Sequence, residues 1–335
     1  MPNTEAHRGK PAALPLPAEL RAEPLAFVRR SCAAVARSAT LVKIDVEWLE
    51  AYAAGLPPSE VAQLEAPVLP RDANSEALCA FVFQLDAVNF GSGYFPRLAK
   101  RPGLSGYRSI EAALVDHFDE YGPLTARELG QMSARGCSKM FGQELDDPAI
   151  AELMQFYAES LRDLGRFTSQ RFGGRFAEFA GAARGSAEAL VRLLLELPYY
   201  RDLSLHDGNP VAFLKRAQIT AADLSRALPG SLGKFRDLGR LTLFADNLVP
   251  HVLRIDGVLR FDDSLIQRID RGELLQHGSR EEVEIRACAL HAVELLAERL
   301  GEASSAQQLD YWLWLRGSRP EYKSHPRHRS RCIFY

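Results

Sequence analysis

The chain has 335 residues, an apolar fraction of 47% and a charged fraction of 25%. These ordinary values exclude a disordered chain, a collagen-like repeat and a coiled-coil rod. Its 41 basic and 43 acidic residues give a formal net charge of −2, whereas a protein that grips a nucleic-acid backbone usually carries a basic excess. No apolar run approaches the ~18 residues that a membrane-spanning helix requires, so we expect no membrane partner.

The cysteines and histidines give no sign of a metal site or a redox pair. The five cysteines are an odd number and no two of them lie within four residues of each other. This spacing excludes a CxxC pair or a zinc knuckle and fits a reducing cytosol. The eight histidines show no metal-ligand spacing, and residues 1–20 lack the apolar core of a secretory signal. We therefore expect a cytoplasmic protein that uses no metal and no other cofactor.

Helical signals dominate the chain after residues 1–20, which we expect to form an extended lead-in. Residues 147–166 place apolar side chains at the spacing of an amphipathic helix, after an Asp cap and a first-turn proline. Serine capping boxes predict two more helices that begin at Ser279 and Ser305. The other predicted helices cover residues 24–39 and 186–197.

Strand signals are few and short. Residues 78–85 are rich in apolar and aromatic side chains and fit either a buried strand or a buried helix. In residues 252–261, β-branched and apolar side chains flank the dipeptide Asp256-Gly257, which predicts a small hairpin ribbon.

These elements predict a mainly α fold with at most a small β element, because strands and helices do not alternate and no internal repeat is present. The simplest division is one large helical unit over residues 21–335. Two subdomains, about 21–145 and 146–335, are an alternative that would place the functional site between them. The sequence leaves the oligomeric state open.

The first candidate for chemistry is Asp246, which lies in the mainly apolar segment LTLFADNLVPHVLR (241–254). A carboxylate in apolar surroundings is costly unless it is paired or hydrogen-bonded, and such placements are enriched at catalytic sites. The alternative is a helix N-cap. That alternative fits imperfectly, because Pro250 suits the first helical position and makes Val249 the cap.

A second candidate segment, FQLDAVNFGSGYFP (83–96), combines Asp86 and Asn89 with aromatic side chains and a Gly-Ser-Gly turn. Side chains of these kinds hydrogen-bond and stack on a flat heterocycle. The turn fits neither a GxGxxG fingerprint nor a Walker loop, so a dinucleotide cradle is not predicted. The alternative is an ordinary helix exit with a glycine turn, which the pattern alone favours.

Two further segments offer positive charge. Lys215 lies close to the apolar face of a predicted helix, where a lysine usually reaches solvent but can also pair with a buried carboxylate or bind a phosphate. The glycine-bearing turn at 228–234 is typical of helix-hairpin-helix elements. The basic C-terminal segment 309–335 ends in Cys-Ile-Phe-Tyr, so we expect it to dock and to offer a basic strip to a phosphorylated ligand.

Four segments together resemble the queuosine salvage protein family, the queuosine 5′-phosphate N-glycosylase/hydrolases. The resemblance rests on LDAVNFGSGYFP (85–96), LTLFADNLVPHVL (241–253), DYWLW (310–314) and HRSRCIFY (328–335), in that order. It implies a mainly helical fold whose catalytic part is similar to helix-hairpin-helix DNA glycosylases. It also implies hydrolysis of the N-glycosidic bond of queuosine 5′-monophosphate, which releases queuine for tRNA modification.

The resemblance also implies roles for individual residues. Asp246 is expected to stabilise an oxocarbenium-like transition state, and Lys215 is the lysine that accompanies it. Asp86 and Asn89 would hydrogen-bond the deazaguanine edge or its cationic side arm. A Schiff-base route through Lys215 is a less direct alternative, because hydrolysis of a free nucleotide does not need it. The remaining substrate-binding candidates are the aromatic residues Phe90, Tyr94 and Trp312, one of which would stack on the base, and Ser92, His251, Arg329 and Tyr335.

Two rival functions stay open. A DNA-repair glycosylase of the same fold needs a basic groove that neutralises several phosphates, and the net charge of −2 argues against it. We therefore expect a small nucleotide as the partner and no stable nucleic-acid complex. A non-catalytic helical scaffold would use Asp246 only as a cap and the C-terminal segment only as a docking arm.

Overall fold

The structure, a computed structural model, describes residues 14–61, 68–230, 232–301 and 304–335. Helices dominate it, as the sequence predicts, and the strands form two small antiparallel pairs. The helices are α1 Ala18–Ala22, α2 Pro24–Ser38, α3 Val46–Gly55, α4 Pro58–Val61, α5 Ser75–Ala87, α6 Gly106–Tyr121, α7 Ala126–Leu129, α8 Ala134–Phe141, α9 Pro148–Phe172, α10 Phe176–Gly181, α11 Ala187–Leu194, α12 Lys215–Ala227, α13 Val249–Ile255, α14 Asp263–Asp270, α15 Arg280–Leu300, α16 Ala306–Arg316 and α17 Pro320–Lys323. The strands are β1 Val42–Ile44, β2 Leu203–His206, β3 Asn209–Ala212 and β4 Leu259–Phe261.

The capped helices begin where the sequence predicts. Asp147 caps α9, which then continues beyond its predicted end. Ser279 caps α15 and Ser305 caps α16. The capping box at Ser305 is complete, whereas Glu282 of the other box accepts from the Gly278 amide at 3.0 Å. Local sequence rules therefore located these helix starts correctly.

Helix α15 is the central helix of the protein. It packs against α2, α3, α13, α16 and β1, and apolar side chains such as Val283, Leu290 and Val293 are fully buried on it. The buried guanidinium of Arg286 pairs with Asp202 at 2.6 Å. This pairing compensates the cost of removing both charges from water.

A second group of helices surrounds α9. Helices α5, α7, α8 and α10 pack on it, and Phe179 stacks on Phe83 and Phe172 with ring centroids 4.4 and 4.6 Å apart. Helix α5 also packs against α12. The buried guanidinium of Arg216 in α12 donates to the Ala87 carbonyl at 2.8 Å. The end of α5 is thereby held beside the start of α12.

The two segments with strand signals have different outcomes in the structure. Residues 78–85 belong to helix α5, which decides between the two alternatives for that segment. The predicted hairpin at 252–261 is wrong, because its first half ends α13 and its second half, β4, pairs with β1 instead. Gly257, at φ 83°, forms the helix exit between them. The partner of β4 lies more than 200 residues away in the chain, where local patterns cannot reveal it.

Other predictions are met only in part within the described residues. The lead-in over residues 1–20 lies mostly outside them, and its end belongs to helix α1. The turn at 228–234 leads into a 3₁₀ turn at Leu238–Arg240, with α13 as the next α-helix, so the helix-hairpin-helix similarity stays a prediction. None of the helices in the described ranges has both the length and the apolar character needed to cross a membrane.

The C-terminal segment docks on the protein, as its apolar end predicts. Its last four side chains are buried, and the Gly91 amide donates to the Tyr335 carbonyl at 2.9 Å. Arg329 forms an isolated parallel bridge with Leu274. Gly93 lies so close to the carbonyl of Ser330 that a Cβ atom on it would collide. The segment therefore covers the loop that follows α5.

Candidate active site

The candidate site lies where the end of α5, the start of α12 and the loop before α13 meet. Lys215 is the first residue of α12 and follows Leu214, whose backbone is in the left-handed region at φ 54°. A non-glycine residue in this region is retained only where the surrounding structure determines it. The Lys215 ammonium donates to the Asn89 carbonyl at 3.1 Å and to Asn89 Oδ1 at 3.4 Å. The local turn therefore directs the lysine to the end of α5.

Lys215 is a buried charge, with 6% of its surface exposed. Burial lowers the pKa of its ammonium, and the Asp246 carboxylate is the strongest of the charges that oppose this shift. Among the described residues, Lys215 hydrogen-bonds to Asn89 and forms no direct ion pair with a carboxylate. The lysine and Asp246 therefore influence each other through space rather than by contact.

Asp246 is oriented by the backbone that follows it. Its Oδ1 atom accepts hydrogen bonds from the amides of Leu248 at 2.7 Å and Val249 at 3.2 Å. The carboxylate thus caps the start of α13 in part, although it lies three residues before the first helical residue. Its Oδ2 atom has no hydrogen-bond partner in the described part of the chain, and the side chain is half-buried. The Oδ1 atom therefore fixes the orientation of the carboxylate, while the Oδ2 atom stays available for a further contact.

A second carboxyl group, Asp310 of α16, stands behind Asp246. It is buried, and its Oδ1 accepts from the Phe244 amide at 3.1 Å, two residues before Asp246. Burial raises the pKa of Asp310 well above its usual value, and the negative charge of Asp246 adds to this effect. Burial therefore favours the neutral form of Asp310, and its hydrogen bond with the Phe244 amide braces the segment that carries Asp246.

Asp86, near the end of α5, is fully buried and its charge also acts on Lys215. Its Oδ1 accepts from Asn89 Nδ2 at 3.4 Å, whereas its Oδ2 is buried without a hydrogen bond to any residue that the structure describes. Burial raises the pKa of Asp86 well above its usual value, with the charge of Asp223 as the next cause. The structure thus brings together four predicted site residues: Asp246, Lys215, Asp86 and Asn89.

The residues that follow Asn89 lie in packed surroundings. Phe90 is buried and makes an edge contact with Tyr157 at a centroid distance of 5.0 Å. Tyr94 is buried, and its hydroxyl donates to Glu152 at 3.0 Å. The amide of Ser92 points to the C-terminal segment. The geometry therefore leaves no open face on Phe90 or Tyr94 for a stacked base.

The four remaining predicted residues occupy structural positions. His251 contacts the Tyr322 carbonyl at 2.9 Å, and burial lowers the pKa of its ring to about 4. Trp312 is buried beneath the guanidinium of Arg316, and Tyr335 beneath that of Arg286. Arg329 anchors the C-terminal segment through its carbonyl, which accepts from the Leu275 amide at 2.8 Å. Their predicted contacts with a substrate stay predictions.

Sequence reasoning did not select three charged residues that the structure places near the site. Asp310 lies within the DYWLW motif, but no local pattern marked it as polar and buried. Asp223 lies two helical turns after Lys215 on the same face of α12, a spacing that could have indicated it. Arg327 is reached by solvent yet surrounded by protein, and Asp246 is its main attractive charge. Arg327 is therefore close enough to Asp246 for the two charges to attract each other.

A fixed carboxylate near a buried lysine suits stabilisation of a cationic transition state. Within the described ranges, no group of three or more His, Cys, Asp and Glu residues is arranged to hold a metal ion. A family model described as Queuosine salvage protein matches residues 68–335. The chain belongs to this family, as its four motifs predict.

Curated relatives also place the chain in this family. A protein of Sphaerobacter thermophilus is 40% identical over 269 residues, which cover 78% of this chain and 82% of that protein. A protein of Mus musculus is 34% identical over 287 residues, which cover 79% of this chain and 84% of that protein. Both are named queuosine 5′-phosphate N-glycosylase/hydrolase.

Proposed function

We propose that this protein hydrolyses the N-glycosidic bond of queuosine 5′-phosphate and releases the base queuine. The observation that carries this proposal is the Asp246 carboxylate, which has one oxygen fixed by two amides and one oxygen without a partner in the described chain. The relatives that bear this name cover most of the chain. The proposed reaction is the one that such a carboxylate suits.

Cleavage of an N-glycosidic bond builds positive charge on the sugar ring as the base departs. A carboxylate held in position stabilises this charge without having to reorganise, and it does so more strongly in a cleft than in water. The Oδ2 atom of Asp246 faces the sugar in this proposal and also orients or deprotonates the attacking water. The buried charge of Lys215 favours the ionised form of that carboxylate.

The base would lie on the side of Lys215 where Asp86 and Asn89 meet. Of the aromatic residues near these carboxylates, Tyr107 and Trp314 are half-buried and pack edge to face at a centroid distance of 6.2 Å. We assign the stacking role to this pair, because Phe90, Tyr94 and Trp312 are buried in packed surroundings. The pair lies on α6 and α16, and the Tyr107 hydroxyl donates to Glu111 at 3.2 Å.

The 5′-phosphate would meet Arg327. Its guanidinium is solvent-accessible, and no ion pair or hydrogen bond to it is present among the described residues, while Asp246 is its main attractive charge. Arg329 follows two residues later and adds a second positive charge close by. Arginines bind phosphate oxygens through paired N–H donors. A phosphate at this place would lie on the sugar side of the site.

The test is an incubation of the purified protein, without added metal or cofactor, with queuosine 5′-phosphate. We expect release of queuine and ribose 5-phosphate, both identified by mass spectrometry, and release about 10²–10³-fold slower by an Asp246→Asn variant of equal folded content. Queuosine, guanosine 5′-phosphate and uracil-containing DNA are run in parallel. Base release from DNA but not from queuosine 5′-phosphate would support the repair glycosylase, and no release from any substrate would support the scaffold.

A further inference from the structure

The segment that leads to Asp246 is buried, although it belongs to no helix or strand. Residues 242–245 keep at most 9% of their surface exposed. Within the described chain, residues 242–246 take part in no hydrogen bond between two backbone groups. Because buried backbone amides and carbonyls need partners, side chains from other elements have to hold this segment in place.

Gln218 of α12 and Arg286 of α15, both fully buried, supply two of these partners. The Thr242 amide donates to Gln218 Oε1 at 2.8 Å, and the Ala245 carbonyl accepts from Arg286 Nε at 3.0 Å. The segment is therefore fixed by side chains at the positions where a neighbouring strand would otherwise pair with it.

Gln218 also contacts the turn that directs Lys215. Its Nε2 atom donates to the Thr242 hydroxyl at 2.9 Å and to the Phe213 carbonyl at 3.0 Å. Phe213 lies two residues before Lys215, at the entry to α12. A single side-chain amide thus joins the segment that leads to Asp246 to the turn that leads to Lys215.

Arg286 forms a second link between the same two backbones. Its Nε atom holds the carbonyl of Ala245, the residue before Asp246. Its terminal nitrogens donate to the two carboxylate oxygens of Asp202 at 3.0 and 2.6 Å, and this carboxylate accepts from the Lys215 amide at 3.4 Å. A bidentate pair of arginine and carboxylate has a defined geometry, so this link sets the separation of the two backbones.

We propose that Gln218 and Arg286 are positioning residues that hold the Asp246 carboxylate at a fixed place relative to the Lys215 ammonium. This inference rests on the proposed function. Both side chains are fully buried and act through the backbone rather than on a substrate. The lysine and the carboxylate interact without contact, so the strength of their interaction depends on their separation. A displacement of about 1 Å in a reacting group can lower a rate about 10²-fold.

Steady-state hydrolysis of queuosine 5′-phosphate by Gln218→Met tests this proposal. Methionine is similar in size to glutamine and cannot replace its hydrogen bonds. We expect kcat to fall at least about tenfold and KM to change little, because Gln218 touches no substrate. In an Asp246→Asn background, the same substitution should lower the rate no further, since no charge is left to position. A general folding defect would instead lower both rates by the same factor.

The matched control is Gln143→Met. Gln143 is also buried, and its Oε1 accepts from the Ala99 amide at 2.9 Å. Its Nε2 donates to the carbonyls of Ala99 and Phe141 at 3.0 and 2.9 Å. Its hydrogen bonds hold the loop that follows α8 and not the segment before Asp246. Urea unfolding should show a loss of stability in both methionine variants, whereas kcat should fall only in Gln218→Met.

Arg286→Lys tests the second link, because lysine keeps the positive charge beside Asp202 but lacks the planar set of donors. We expect a lower kcat here as well. If this variant does not fold, Gln218→Met decides, together with the milder Thr242→Val, which removes only the hydroxyl and should lower kcat less.

The proposal is overturned if Gln218→Met keeps the native kcat, or if it lowers the rate equally with and without the Asp246 carboxylate. It is also overturned if Gln143→Met loses as much kcat as Gln218→Met. Failure of the proposed function is distinguishable, because the native protein would then release no queuine, and this inference would fall with it. A native protein that releases queuine beside an equally active Gln218→Met would refute the positioning role alone.

Discussion

At the scale of single residues, the two oxygens of Asp246 have different surroundings and can be tested separately. Oδ1 accepts from two amides at the start of α13, and an asparagine retains an oxygen for this purpose. We expect Asp246→Asn to keep native stability but to lower kcat by about 10²–10³-fold, as for a lost preorganised electrostatic group. Asp246→Ala should also lose about 1 kcal/mol of unfolding free energy, as for a lost cap.

The measurement is kcat from released queuine together with the free energy of unfolding in urea for both variants. An Asp246→Asn variant with native kcat would remove the carboxylate from the chemistry and leave it as a cap. A large stability loss in Asp246→Asn would mean that the charge, and not only the hydrogen-bond acceptor, holds the start of the helix.

The pKa of Asp223 predicts how the binding of a cationic base depends on pH. Burial raises the pKa of its carboxyl to about 6, Arg226 and Arg108 oppose the shift, and Glu111 adds to it. As pH falls through about 6, Asp223 gains a proton and loses the charge that attracts an ammonium. We therefore expect the Kd of 7-aminomethyl-7-deazaguanine, a base with a cationic side arm, to rise as pH falls from 7 to 5.

Calorimetry at several pH values checks this expectation, and the uncharged 7-hydroxymethyl-7-deazaguanine is the control. Equal affinity for the cation across this range would show that the carboxyl of Asp223 does not contact it.

At the scale of elements, the loop after α5 depends on the C-terminal segment. Arg216 of α12 donates both to the Ala87 carbonyl and to the Ile333 carbonyl, at 2.8 and 2.9 Å. The amides of Gly91 and Ser92 donate to Tyr335. Asn89, the partner of Lys215, lies between these attachments. Docking of the segment therefore fixes one wall of the site, although the segment is distant from Lys215 in sequence.

Gly93→Ala tests this dependence, because a Cβ atom at Gly93 would collide with the Ser330 carbonyl. We expect a loss of about 1–3 kcal/mol in the free energy of unfolding, as for overpacking, and a lower kcat because Asn89 shifts. Gly239→Ala is the matched control, since nothing lies within 4 Å of a Cβ atom there. Urea unfolding of both variants checks the prediction, which fails if the two behave alike.

At the scale of the whole molecule, the sequence predicted what local rules determine. Serine and aspartate caps located α9, α15 and α16, because a cap and its helix are adjacent in the chain. The pairing of β1 with β4 was missed, because it joins residues that are far apart. Both strands are three residues long, which is too short for a clear alternating pattern.

The same limit applies to the candidate site. Asp246 and Lys215 were selected because a charge in an apolar segment is visible in one sequence. Phe90 and Trp312 were also selected, yet both are buried in packed surroundings, because an aromatic that packs inside has the same local pattern as one that binds a base. Asp310 could not be distinguished from an exposed aspartate without knowing that α16 faces the segment before Asp246.

Because the site draws on α5, α12, α16 and the loop before α13, a bound base should stabilise the fold as a whole. A ligand that binds only the folded state adds about 2.7 kcal/mol at 100 times its Kd, which corresponds to a Tm increase of several degrees for a protein of this size. We expect queuine to raise the Tm of the native protein, and guanine, which lacks the cationic side arm, to raise it much less. Thermal unfolding followed by calorimetry measures both. Asp223→Asn should reduce the difference between the two bases. Asp116→Asn, which removes a carboxylate of α6 that is 65% exposed, is the control and should preserve it. Equal Tm increases by queuine and guanine in the native protein would contradict recognition of the side arm.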